Sequence, residues 1–223
     1  MKAKEYVRIA RSLLYELKNR ALYGAASPRF AERVWINPSD CNLYIGNLGR
    51  SHSGAIYDGA WPPSPRCQVA SVYDLVKIKA CYAHWRDGVP WEETGVYEHI
   101  ESKISQYGKW DDCRDMDDVI TRYKRLDALF IEIKNSRRLK TKSELHRYHF
   151  REYGGICVHV GPKGVLYFSG GGCHRLAIAK ILELPLIPVQ LGCVHKESLG
   201  VLKYLRSPQV NSSRMSSSPP TAE

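Results

Sequence analysis

Tyr167-Phe168-Ser169-Gly170-Gly171-Gly172-Cys173-His174-Arg175-Leu176-Ala177-Ile178-Ala179-Lys180 is the stretch on which the fold of this chain turns. Val165 to Ser169 is short and mostly β-branched, aromatic or apolar, as a buried strand is. Three consecutive glycines permit a tight turn and let another backbone or a ligand come close. Leu176, Ile178, Ala179, Ile181 and Leu182 then carry a compact apolar helix that ends near Leu184-Pro185. A strand, a glycine loop and a helix N-terminus together offer free backbone N–H groups and the positive end of a helix dipole, a geometry that binds phosphate or another anion. Cys173, His174 and Arg175 fall in the first helical turn, where a thiolate is favoured and a guanidinium can fork onto phosphate oxygens. The same letters also describe a plain turn before a helix, with Cys173 as a small packed hydrophobe.

Outward from the loop, Ile156 to Val160 alternates like a half-buried strand, Gly161-Pro162-Lys163-Gly164 reads as a hairpin turn, and Ile187 to Val194 supplies a further strand. His195 opens a last helix to about Leu205, and Ser207–Glu223 is a Ser/Pro-rich stretch expected to be disordered. Upstream, Val119, Ile120, Tyr123, Leu126, Leu129, Phe130 and Ile133 predict a helix over 117–134, with the acidic Asp111–Asp115 segment as its cap or as a cation holder. Further helices are expected over Val69–Trp85 and Glu93–Tyr107, and a short strand at Val34-Trp35-Ile36. Gly46 to Pro65 reads as a long irregular loop in which His52, Asp58 and Trp61 can line a substrate pocket or simply pack. Residues 4–20 form an amphipathic helix, which either docks on the protein or lies peripherally on an anionic membrane.

The reading is therefore an α+β chain: a mainly helical region at 1–120 with a long irregular loop, a small α+β unit at 121–206, and a tail at 207–223. No apolar run of membrane-spanning length and no signal peptide is present, which points to the cytoplasm. A hydrophobic share of 43% with 25% charged residues is that of an ordinary globule. The formal charge of +10 calls for acidic partners, whether nucleotide phosphates, nucleic acid or anionic membrane. Apart from Lys134, Arg137, Arg138, Lys140 and Lys142 the basic residues are scattered, so nucleic acid is the less favoured partner and a solvated face the plainer account. Seven cysteines without a C-x-x-C pair fit a reduced protein, and neither a disulfide framework nor a zinc site is expected.

Gly171-Gly172-Cys173-His174-Arg175, preceded by Tyr167-Phe168-Ser169, resembles the active-site loop of sulfiredoxins, an ATP-using family with a catalytic cysteine in Gly-Cys-His-Arg. More broadly, the Gly-x-His-Arg-Leu-x-x-Ala pattern and the following Ile187-Pro188-Val189 are similar to the ParB/sulfiredoxin-like superfamily over about 125–206. That superfamily includes a DNA-partition protein that binds nucleotide and free serine kinases that move phosphate from a nucleotide. Trp35-Ile36-Asn37-Pro38, Gly54-x-x-x-Asp58-Gly59-x-Trp61, Trp91-x-x-Thr94-Gly95 and Arg122-Tyr123-x-x-Leu126-Asp127 resemble an uncharacterised ParB-like branch associated with glycan-biosynthesis gene clusters. Gly171 stands where kinase members carry an acidic residue, and Cys173-His174 replaces the Glu-Arg pair of the partition proteins.

The resemblance implies a nucleotide on Gly170, Gly171, Gly172, Cys173, His174 and Arg175, with ATP or ADP as cofactor and Mg2+ admitted beside it. Phosphoryl transfer to a small hydroxylated acceptor (a sugar, glycan precursor or amino acid) would use His174 and Arg175 on the moving charge. Glu152, or Glu144 after it, would serve as base. Two alternatives stay open. In a sulfiredoxin-like reductase Cys173 is the nucleophile toward a phosphorylated sulfinic ester, and in a ParB-like module the loop gates DNA binding without catalysis.

Overall fold

The computed structural model describes residues 3–207, with side chains described from residue 12 onward. The fold is mixed α and β. Seven strands form one mixed sheet among these residues: β1 (Arg33–Ile36), β2 (Leu43–Gly46), β3 (Ile56–Tyr57), β4 (Gln68–Ser71), β5 (Cys157–Val160), β6 (Leu166–Phe168) and β7 (Ile187–His195). The order is β1-β7-β5-β6-β2-β4, with β3 parallel to the end of β7. β5 and β6 are the expected antiparallel hairpin, closed by the turn Pro162–Gly164.

Strands from residues 33–71 thus flank, on both sides, the contiguous strands from 157–195. The boundary drawn at residue 120 does not separate two units, because β1 completes one side of β7 and β2 pairs in parallel with β6. The first region holds more helix than strand, as expected, but it also contributes four strands to the sheet.

The helices are α1 (Ala3–Tyr23), α2 (Val76–Trp85), α3 (Val96–Tyr107), α4 (Met116–Ser136), α5 (Lys142–Leu145), α6 (Cys173–Ile181) and α7 (Leu202–Leu205). The helix expected from Val69 begins only at Val76, since Gln68–Ser71 pairs with β2 and the 3₁₀ turn Val72–Asp74 intervenes. The last helix is also shorter than expected, a 3₁₀ stretch Lys196–Val201 followed by α7. α4 matches its stripe. Asp115 caps it by accepting a hydrogen bond from Asp118 N at 2.8 Å, with Asp117 and Asp118 at the positive end of the dipole. The remaining acids of that segment are paired with cations, Asp111 with Lys77 and Asp112 with Lys109. The expected tail lies outside the described residues from 208 onward, and among the described residues no helix is long and apolar enough to cross a membrane.

Side-chain alternation sends Val158, Val160, Phe168, Val189 and Leu191 into the main core, with α2, α3, α4 and α6 on that face. The opposite face carries Ile45, Leu48 and Cys193, packed against Tyr57, Trp61 and Tyr167. Both faces are therefore covered, and every residue of β5 is buried where a half-buried strand was expected. His159 fills the second face: its Nδ1 accepts from Cys193 N at 2.9 Å and its Nε2 donates to Leu48 O at 2.7 Å. Its ring occupies the space a side chain at position 192 would need, so Gly192 is required there.

Tyr123 is the hub between α4 and α6. It is fully buried, meets Trp91 and Tyr97 edge-on, and shares a 3.2 Å hydrogen bond with His174 Nε2. Tyr123→Ala is expected to cost about 3–5 kcal/mol and Tyr123→Phe about 1 kcal/mol in urea unfolding. A loss below about 1 kcal/mol for the alanine variant would contradict this role.

Candidate anion-binding site

The loop after β6 takes its shape from glycine. Gly170 and Gly172 have φ of 87° and 93°, left-handed values that side-chain-bearing residues seldom adopt. A Cβ on Gly172 would lie 3.0 Å from the Ile156 Cα. The loop is zipped to the start of β5: Cys157 N donates to Gly171 O at 3.1 Å and Ser169 N to Cys157 O at 3.0 Å. α6 starts at once, with no side-chain cap at Gly172. The first amide to bond back into the helix is Leu176 N, to Gly172 O at 3.0 Å, which leaves the first-turn N–H groups without intrahelical partners.

Cations gather round this uncapped end. Arg50, in the turn that follows β2, lays its guanidinium over Gly171, where a Cβ would meet Nη2 at 2.5 Å and Cζ at 2.7 Å. Its Nη2 donates to Gly155 O at 2.9 Å, while its Nε is buried without a partner. Arg175 donates from Nη2 to Gly154 O at 3.1 Å. Burial and then the Arg50 charge hold its pKa below the usual arginine value. The Lys142 ammonium is likewise depressed, by burial first and then by Arg175, with Arg50 adding to it. Tyr44 covers Gly170, its ring 3.3 Å from where a Cβ would stand.

One carboxylate faces the three cations. Glu152 is 2% exposed and accepts from Lys142 N at 3.1 Å. It also lies 3.2 Å from Arg33 Nε, an ion pair without hydrogen-bond geometry. Burial raises its pKa and outweighs these cationic and N–H neighbours. The fully buried Gln190 accepts from Gly154 N at 2.9 Å through Oε1, and its Nε2 has no partner. Closely gathered cations, orphaned buried donors and free helix amides are the chemistry of an anion site.

The expected residues sort unevenly. Gly170, Gly171, Gly172, Arg175 and Glu152 come together. His174 does not: it is buried against Tyr123, and burial, reinforced by Arg122, pulls its pKa down to about 3. It is a neutral core histidine whose Nε2 is turned to Tyr123. Cys173 sits at the helix start as expected, yet burial raises its pKa and its Sγ donates to Gly170 O at 3.1 Å, so the thiol form is favoured over the thiolate. Glu144 is a capping-box residue of α5, held to about 2 by Thr141 and Arg138, and it does not act at the loop.

Of the irregular-loop residues, His52 bonds Tyr57 Oη at 2.6 Å, Asp58 pairs with Lys196 at 2.6 Å, and Trp61 packs on Tyr167 and His195. The residue of that segment that reaches the glycine loop is instead Arg50. Among the described residues no group of three or more His, Cys, Asp or Glu is placed to hold a metal ion. Comparison with family profiles, with curated proteins and with solved structures returns no match.

Two buried neutral histidines, His174 and His159, the latter pulled down to about 4 by burial, make stability depend on acid. Their folded-state pKa values lie below the unfolded value of about 6.5, so this stability is complete above about pH 6.5 and is lost as pH falls toward 4, where the unfolded chain takes up protons that the folded chain refuses. Glu152, raised in the folded state, acts in the opposite direction and offsets part of the loss. Unfolding free energy measured in urea is expected to fall by up to about 1.4 kcal/mol per pH unit for each histidine, and His174→Asn to flatten the slope. A pH-independent free energy between 6.5 and 4 would contradict the burial of neutral rings.

Proposed function

We propose that this chain binds the phosphates of ATP or ADP on Gly170–Arg175 and transfers a phosphoryl group to the hydroxyl of a small acceptor. The run β5, β6, glycine loop, α6 and β7 would then be the nucleotide-binding element that the ParB/sulfiredoxin-like resemblance describes. One observation carries the reading: Arg50, Lys142 and Arg175 surround an uncapped helix start with a single buried carboxylate for compensation. The nucleotide would supply the phosphoryl group. The first-turn amides and the guanidiniums of Arg50 and Arg175 hold the phosphate oxygens and stabilise charge that builds on them. Glu152, its pKa already raised by burial, is the one carboxylate near these cations among the described residues and takes the proton of the acceptor hydroxyl. These residues fit a phosphate. They do not fit a protein-held Mg2+, since Glu152 already faces Arg33 and Lys142 N and no second carboxylate accompanies it.

Calorimetry with ATP is the test. Arg50→Ala and Arg175→Ala are expected to weaken binding by about tenfold or more each, the scale of a charge-assisted hydrogen bond, and Cys173→Ser to change it by less than about twofold. Glu152→Gln is expected to retain nucleotide while phosphate transfer to a panel of hydroxylated acceptors is lost. Absence of binding at millimolar ATP, or full binding in Arg50→Ala, would overturn the proposal. Turnover lost in Cys173→Ser with binding intact would transfer the assignment to a cysteine-dependent reductase.

A further inference from the structure

α1 is mounted the wrong way round for a helix that exists to complete its own domain. The contacts that hold it are polar: Asn19 is buried and donates from Nδ2 to Gly54 O at 2.8 Å. Glu16 accepts from Phe30 N at 2.7 Å and pairs with Arg151. Leu14 and Leu17 precede these anchors by two positions, about 200° of rotation at 3.6 residues per turn, and so lie on the far side. They are 68% and 66% exposed, and Leu22 is 63% exposed. An ordinary surface helix turns its leucines inward; α1 turns these outward.

The charges bordering this pair of leucines are not balanced. Among the described side chains of α1, Lys18 and Arg20 stand against Glu16, and Glu16 is already engaged by Arg151. Lys18 follows Leu14 by four positions and Arg20 follows Leu17 by three, which sets one exposed cation on each border of the pair. Beside Leu13 and Leu17 a cavity of about 500 Å³ is also lined by Arg20, Arg29 and Arg206. An apolar stripe edged by cations complements a surface with a hydrocarbon interior and anionic headgroups. A second copy of the chain is a poorer match, since it would bring the same basic borders and the same net charge of +10 into contact.

We infer that α1 is a membrane-surface helix that seats this protein on anionic phospholipid through Leu14 and Leu17, with Lys18 and Arg20 at the headgroups. The helix lies in the interface and does not span it.

Vesicle flotation of the full chain tests this. Binding to phosphatidylcholine vesicles containing about one-third phosphatidylserine is expected to exceed binding to pure phosphatidylcholine by about tenfold or more, and to fall as salt is raised. Leu14→Asp/Leu17→Asp is expected to lose about tenfold or more of that binding while keeping the wild-type circular dichroism spectrum, since both side chains are exposed. Equal binding to the two vesicle types would overturn the inference, as would undiminished binding of the double variant. A salt-stable dimer of the wild-type chain that the double variant converts to monomer, without vesicle binding, would assign the stripe to a second copy instead.

Discussion

The close approach of the glycine loop to Ile156 on one side and to the Arg50 guanidinium on the other is the constraint from which the rest of the site follows. Only residues without a Cβ fit here, since one on Gly172 would stand 3.0 Å from Ile156 Cα and one on Gly171 would stand 2.5 Å from Arg50 Nη2. The sheet order brings these parts together. β2 and β6 run parallel, with Leu43 opposite Tyr167 and Tyr44 opposite Phe168, so the segments that leave them emerge at the same edge. Arg50 comes from one and the glycines from the other. β5 is antiparallel to β6 and begins where β6 ends, which delivers Glu152, Gly154 and Gly155 to that edge as well. The site is thus an edge of the sheet at the carboxyl ends of two parallel strands, a place where α/β sheets commonly bind ligands.

Burial decides what the side chains there can do. A cysteine and a histidine at a helix start look like a nucleophile and a donor when read by position alone. Packed against Tyr123, His174 loses its basicity, and Cys173 keeps its proton despite the dipole. Arg50, Arg175, Lys142 and Arg33 gather where Glu152 is the carboxylate, and this excess of basic groups leaves room for a phosphate.

Much of this was legible in the sequence, and the rest was not for stateable reasons. The hairpin, the loop, α4 and α6 are local: periodicity and turn residues mark them. β2, β3 and β4 are two to four residues long and lie in or beside a Gly/Pro/Ser-rich stretch, so no alternation could develop there. Their pairing is long-range, which is why a boundary at residue 120 looked natural and why Arg50 carried no signal of its own. Lys142 was visible only as one member of a basic run that suggested solvation. For His174 a signal did exist: it stands four residues before Ile178, on the buried side of α6, and helical spacing alone marks it as core.

The most direct measurement is the thermal midpoint with and without excess ATP, for wild type and Gly171→Ala. Gly171 has no left-handed φ, so the added methyl group acts chiefly by displacing Arg50 from the loop. The account predicts that ATP raises the wild-type midpoint by a few degrees and that Gly171→Ala loses most of this rise. No rise in wild type, or an equal rise in both, would contradict a phosphate held between the glycine loop and Arg50.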